Sequence, residues 1–159
     1  NDTFESGTGN DFVFAGGGND SIIGLTGNDT MDGGTGQDIY SFYGDFGQDT
    51  VLLNSTSDVD VATFTSSADH LWLSHVGDDL VLSSIGTDNQ VTFSNWFSLG
   101  EQHVRITDTN GSTLSFDAVD QLVTAMAGFT APAAGVTSLP SSYSSLNPII
   151  ASSWVASSS

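Results

Sequence analysis

Aspartate recurs at Asp2, Asp11, Asp20, Asp29 and Asp38 with an unbroken spacing of nine residues, and carboxylates at fixed intervals suit the ligation of cations. Glycine stands two residues before four of them, at Gly9, Gly18, Gly27 and Gly36. A large apolar residue stands two after each, at Phe4, Val13, Ile22, Met31 and Tyr40. The unit is the nonapeptide Gly-Gly-x-Gly-x-Asp-x-U-x, with U apolar. Copies run over 6–14, 15–23, 24–32 and 33–41, departing from the consensus at Ser6, Ala15 and Leu25.

Each half of the unit has a physical role. Glycines admit the positive-φ backbone of a tight turn and leave carbonyl oxygens uncovered, so that those oxygens can point at a cation beside the aspartate. The three residues that follow form only a short strand, with its central apolar side chain turned inward. Two nonapeptides make one coil of eighteen residues with a turn at each side. Asp2, Asp20 and Asp38 then line one edge, and Asp11, Asp29 and Asp49 the other. Carboxylates stacked at the strand spacing of about 5 Å repel one another unless a cation lies between them. Oxygen ligands from carboxylates and carbonyls, six or so per ion, suit Ca2+ better than the smaller, strictly octahedral magnesium. Zinc is disfavoured by the absence of cysteine and of a histidine cluster.

Composition supports the same partner. The 159 residues carry 19 acids against a single base, Arg105, for a formal net charge of −18. Such a surface excludes nucleic acid and anionic lipid as partners. Eleven acids fall in the first sixty residues and none after residue 120, so the chain has three zones. Without cysteine no disulfide is available, and a bound metal is the alternative staple for a small extracellular domain. No apolar run reaches the length of a membrane span. The chain opens in the middle of a nonapeptide, which reads as a fragment whose parent continues N-terminal to Asn1.

After Asp38 the period gives way at Gly44–Thr50 to alternating segments at 59–64, 71–74, 80–84, 91–97 and 104–107. Their alternation and the turns at Gly77-Asp78 and Asn110-Gly111 predict antiparallel hairpins. The open end of a coil stack needs a covering unit, and residues 50–128 read as that cap. Asp117–Phe129 predicts a helix capped by Ser115 or Asp117, with Val119, Leu122, Val123 and Met126 on one stripe. Trp72 and Trp96 could form a sugar platform, but aromatics at inward strand positions are more often core. His70, His75 and His103 read as surface or cap residues. Residues 129–159, uncharged and rich in serine, alanine and proline, have the composition of a flexible tail, while the patch around Ile149, Ile150, Trp154 and Val155 offers a means of docking on the cap.

The nonapeptides resemble the RTX (repeats-in-toxin) family. The second zone resembles the segment that follows the repeats at the C-terminus of the adenylate cyclase toxin, within a wider group of secreted RTX proteins. The matching residues are 68–73, 77–80, 86–88, 95–97, 103–105 and 119–126, and the resemblance covers roughly Asn1 to Ala134. It implies a mostly all-β fold. Residues 1–49 would be a right-handed parallel β-roll with calcium between coils, and a β-rich cap with one helix would follow. In the family each ion takes carbonyls from positions two and four plus the aspartate of one turn, and carbonyls from positions one and three plus the aspartate two repeats on. Carried over, one site joins Gly7, Gly9 and Asp11 to Gly24, Thr26 and Asp29. A second joins Gly16, Gly18 and Asp20 to Gly33, Thr35 and Asp38, and a third joins Leu25, Gly27 and Asp29 to Asp49, for about three or more ions.

The same resemblance implies a non-catalytic C-terminal module of a larger protein secreted by a Gram-negative bacterium, acting extracellularly or at the cell surface. The tail would be an export signal read by a type I secretion apparatus. No nucleophile elbow, zinc-protease helix or phosphate loop supports an enzyme. The rival reading is a glycan- or surface-binding module of an adhesin.

Overall fold

The computed structural model describes residues 1–54, 58–99, 104–114 and 116–156. Its repeats fold as the nonapeptide period requires, with three- or four-residue strands separated by glycine turns. The strands are β1 (Thr3–Glu5), β2 (Phe12–Phe14), β3 (Ser21–Gly24), β4 (Thr30–Asp32) and β5 (Ile39–Phe42). Successive strands enter opposite sheets. β1, β3 and β5 are neighbours in one sheet and β2 and β4 in the other, all in parallel. The register steps by eighteen residues, Phe4 against Ile22 against Tyr40 and Val13 against Met31. Val13, Ile22, Met31 and Tyr40 are buried, and Phe4 is partly buried.

This winding does not stop at Asp49. β6 (Gln48–Leu52) pairs with β4, and β7 (Asp60–Phe64) pairs with β5. β10 (Gln90–Ser94) then lies parallel to β6, and β11 (Val104–Thr107) parallel to β7. The antiparallel hairpins expected at Gly77-Asp78 and Asn110-Gly111 are present, but β6, β7, β10 and β11 also continue the parallel winding, which was not expected. Only the chain between and beyond these strands is antiparallel, namely β8 (Leu71–Val76) with β9 (Asp79–Ser84), β9 with β10, and β11 with β12 (Thr113–Leu114). The result is two mixed sheets, ordered β1-β3-β5-β7-β11-β12-β13 and β2-β4-β6-β10-β9-β8, where β13 is Trp154–Val155.

The strand expected to reach Phe97 ends at Ser94, because Asn95 takes a left-handed φ of 59° and folds Trp96 back against Phe93. Trp96 and Trp72 are 4% and 3% exposed, the core placement rather than the platform. The eleven residues from Asp38 to Asp49 are accommodated by a bend that drives Phe46 into the core, where it meets Phe42 at 5.3 Å and Phe64 at 6.3 Å between ring centres. Asp49 stays in register with Asp29 because Thr50 pairs with Thr30.

The predicted helix is α1 (Phe116–Ala127), and Val119, Leu122, Val123 and Met126 are its buried stripe, together with Ala118. Asp117 lies inside its first turn instead of capping it, where its charge suits the positive end of the helix. Ser115, the other expected cap, and His103 lie outside the described residues. α1 packs on β8, with the Leu73 amide donating to Met126 Sδ at 3.2 Å.

The tail is ordered, against its composition. A 3-10 turn (Ser141–Leu146) leads into α2 (Asn147–Ser153), and β13 then pairs antiparallel with β12. Leu146 and Ile150 are buried, while Tyr143 stacks on Phe129 at 5.0 Å and meets Trp72 edge-on at 5.9 Å. A few apolar anchors among serines suffice, because each inserts into a surface already formed by α1 and β8. Among the described residues no helix is long and apolar enough to cross a membrane. Leu122→Ala should lower the unfolding free energy by roughly 2–5 kcal/mol, read from urea denaturation at saturating calcium, because it empties the contact of α1 with the sheet.

Candidate metal centre

The turns at the two edges of the winding are built alike. On one edge the Asp11 amide donates to Asp29 Oδ1 at 2.9 Å, and the Asp29 amide to Asp49 Oδ1 at 2.8 Å. On the other the Asp2 amide donates to Asp20 Oδ1 at 2.5 Å, the Asp20 amide to Asp38 Oδ1 at 2.8 Å, and the Asp38 amide to Asp60 Oδ1 at 2.9 Å. Each carboxylate thus reaches back and is fixed by the backbone of the coil before it. A second ladder runs the opposite way, from the Asn28 amide to Asn10 Oδ1 at 2.9 Å and from the Gln48 amide to Asn28 Oδ1 at 3.0 Å. Its counterpart on the other edge links Gln37 to Asn19 at 3.1 Å and Asn19 to Asn1 at 2.7 Å.

Glycine is required here for space as well as for conformation. Gly27 has a φ of +139°, and a Cβ on it would overlap the carbonyl of Gly9. The same overlap would set a Cβ on Gly34 against the carbonyl of Gly16, on Gly36 against that of Gly18, and on Gly47 against that of Gly27. The carbonyls of Gly9, Gly16, Gly18 and Gly27 therefore lie directly against the following coil. Gly7 and Gly16 each accept one backbone amide, from Thr26 at 3.2 Å and Thr35 at 2.8 Å. The carbonyls of Thr26 and Thr35 accept the amides of Gly9 and Gly18 in turn. A carbonyl has two lone pairs, so this pairing leaves capacity for a cation. Leu25 differs, with its amide bonded to Ser6 Oγ at 3.0 Å.

The chemistry is in the second carboxylate oxygen. Asp20, Asp29, Asp38 and Asp49 are at most 2% exposed, and the Oδ2 of all four is buried with no hydrogen-bond partner. Asp38 Oδ2 sits over Gly33 and Asp49 Oδ2 over Gly24, where any side chain would displace them. A buried, unsatisfied anionic oxygen is costly, and it recurs at the same point of each turn. Among the described residues no three histidine, aspartate or glutamate side chains converge as a metal cluster. The oxygens that recur together at each turn are paired carboxylates and backbone carbonyls. These hard oxygen donors fit calcium, which would remove the cost at each turn.

Electrostatics agree. Burial pushes the Asp49 carboxyl up to about 7, with the Asp29 charge adding to the rise and the Asp29 amide opposing it. Burial likewise raises Asp60 to about 6, with Asp38 and Asp58 adding to it, and raises Asp38 through the same cause.

The structure brings Asp11, Asp29 and Asp49 together on one edge and Asp2, Asp20 and Asp38 on the other, as the eighteen-residue coil predicts. It adds Asp60, which sequence reasoning missed because the nonapeptide had already ended. A signal was present, since the steps from Asp38 to Asp49 and from Asp49 to Asp60 are both eleven residues.

Turns of glycine carbonyls and buried carboxylates recur along both edges as sets of hard oxygen donors. The nonapeptides are of the RTX family: residues 5–40 match the model of the RTX calcium-binding nonapeptide repeat in four copies. The match ends at Tyr40 and includes neither Asp49 nor Asp60.

The raised carboxyls set a pH dependence for the calcium-free chain. A carboxyl with a folded pKa near 7 or 6, against about 4 in the unfolded chain, holds its proton more tightly when folded. Its contribution to stability is full below pH 4 and is lost as pH rises through 7. In calcium-free buffer the strand signal in circular dichroism should therefore increase on acidification from pH 8 to pH 5. In the same window more calcium should be needed for half-saturation, because protons compete for the same oxygens.

Proposed function

We propose that this chain is a non-catalytic calcium-binding module of a larger secreted RTX protein, and that calcium drives its folding. The observation that carries the reading is the row of buried Oδ2 atoms on Asp20, Asp29, Asp38 and Asp49, none with a partner. Where calcium is scarce, these charges and a narrow core cannot offset the loss of chain entropy, and residues 1–49 stay unfolded. At extracellular calcium the turns fill, with affinities of roughly 10⁻⁴ to 10⁻³ M expected for such modules, and binding energy becomes folding energy.

The winding then takes the form of a right-handed parallel β-roll. Asp11 with Asp29, Asp20 with Asp38, and Asp29 with Asp49 hold the ions between coils, aided by the carbonyls of Gly7, Gly9, Gly16, Gly18, Gly24, Leu25, Thr26, Gly27, Gly33 and Thr35. Residues 50–128 serve as its cap and template, so that filling proceeds from that end. An unfolded, acidic chain suits passage through a type I secretion apparatus, with residues 129–159 as the segment it reads. The setting is the outside of a Gram-negative cell.

Far-ultraviolet circular dichroism against calcium tests the reading. Strand signal should appear cooperatively with calcium and vanish in chelator, and an equally folded chain in both conditions would falsify it. Asp29→Ala should raise the calcium midpoint more than Asp11→Ala, because Asp29 faces a coil on each side. Equal midpoints would dismiss the shared-ligand register.

A further inference from the structure

The inward position of the repeats is filled by Phe4, Val13, Ile22 and Met31, and in the last copy by Tyr40, the one member of the series with a hydroxyl. Tyr40 is in register with Ile22 on one side and with the small Ala62 on the other, and it is 1% exposed. Its Oη accepts the Gly33 amide at 2.9 Å, across the mouth of the turn at 33–38.

The reason lies in the backbone. Each turn opens with an amide that needs an acceptor. At Ser6 and Ala15 the acceptor is a carbonyl of the following coil, Ile23 at 3.1 Å and Asp32 at 2.8 Å. Gly24 lies within the paired part of β3 and β5, opposite Phe42. At Gly33 the ladder falls short, because β2 pairs with β4 as far as Phe14 and Asp32, but β4 pairs with β6 only as far as Met31 and Val51. The Tyr40 hydroxyl takes the part that the Asp32 carbonyl plays at Ala15, one coil earlier on the same edge. A Cβ on Gly33 would overlap both Tyr40 Oη and Asp38 Oδ2, so the phenol oxygen also stands beside the stranded carboxylate oxygen of this turn.

We propose that Tyr40 is a positioning residue for the calcium ion of this turn, its hydroxyl holding Gly33, whose carbonyl is one of the expected ligands, in fixed relation to Asp38. The proposal rests on the reading of the turns as calcium sites, and it gives a part in one of them to a residue outside the glycine and aspartate positions. Selectivity among divalent cations follows from the size and flexibility of the cavity. A turn pinned on its inner side keeps the spacing that suits calcium, and a turn released from that pin admits a larger ion at less cost. Phenylalanine at this position keeps the ring and its packing, so Tyr40→Phe isolates the hydroxyl.

The test titrates the full chain with calcium and, separately, with strontium, following the strand signal in circular dichroism for the native protein and for Tyr40→Phe. One lost hydrogen bond, spread over about three ions, should raise the calcium midpoint about twofold. The strontium midpoint should rise by a smaller factor, narrowing the preference for calcium. A hydroxyl that merely stabilised the fold would raise both midpoints alike, since it adds one cost to one folding step. A strontium factor as large as the calcium one or larger, or midpoints that do not move, would overturn the proposal and leave the turn sites standing. A native chain equally folded in chelator and in calcium would overturn both. Should Tyr40→Phe fail to fold, amide hydrogen exchange of the native chain decides. Stronger protection of the Gly33 amide in saturating calcium than in saturating strontium supports the proposal, and equal protection refutes it.

Discussion

The constraint on which this molecule depends is a carboxylate held by one oxygen and stranded by the other. Each turn aspartate is fixed through Oδ1 to the backbone of the preceding coil, and that bond places Oδ2 in a buried position where no protein group meets it. Hydrogen bonding alone cannot offset the desolvation of a second oxygen. The interior gives limited help, since each half-coil contributes little more than one apolar side chain, such as Val13, Ile22 or Met31. A cation placed between coils would supply the missing partner for each of these oxygens.

Beyond the repeats the balance of forces changes while the strand pairing does not. β6 and β7 continue the same sheets, but their core is denser, with Phe42, Phe46 and Phe64 in mutual contact and Phe42 stacked on Phe64 at 5.1 Å. β8, β9, α1 and the tail cover this end of the winding with Leu71, Trp72, Leu80, Leu122 and Leu146. An apolar body is thus continuous through its backbone ladder with the repeat turns and their buried carboxylates. No break in strand pairing separates the two, since β4 pairs with β6 and β5 with β7.

Much of this was legible in the sequence because a translational repeat writes its geometry directly into residue spacing. Nine residues per turn fixed which aspartates share an edge, and the apolar residue two after each fixed the inward face. Asp49 was found despite its altered spacing. Asp60 was not, because the search for glycine-rich turns stops where bulkier loops begin. The parallel pairing of β7, β10 and β11 was missed for another reason. Alternation at 59–64 or 104–107 reports a strand with one buried face, and says nothing of the direction of its neighbour. The order of the tail was hidden because Tyr143, Leu146 and Ile150 are too sparse to raise local hydrophobicity, and act only through a surface formed by distant residues. Asn89, whose Oδ1 accepts the Gly47 amide at 3.0 Å, carries no motif at all, and its role rests on long-range register.

The opposed ladders of aspartate and asparagine have a further consequence for how such an array can grow or shrink. A single nonapeptide is half a coil, so inserting or deleting one would send every later strand to the opposite sheet and exchange the two edges. Both edges are closed by a buried valine, since Val91 stands in register with Asp49 and Val104 with Asp60. A single repeat added or removed ahead of this end therefore leaves the closure of both edges as it is.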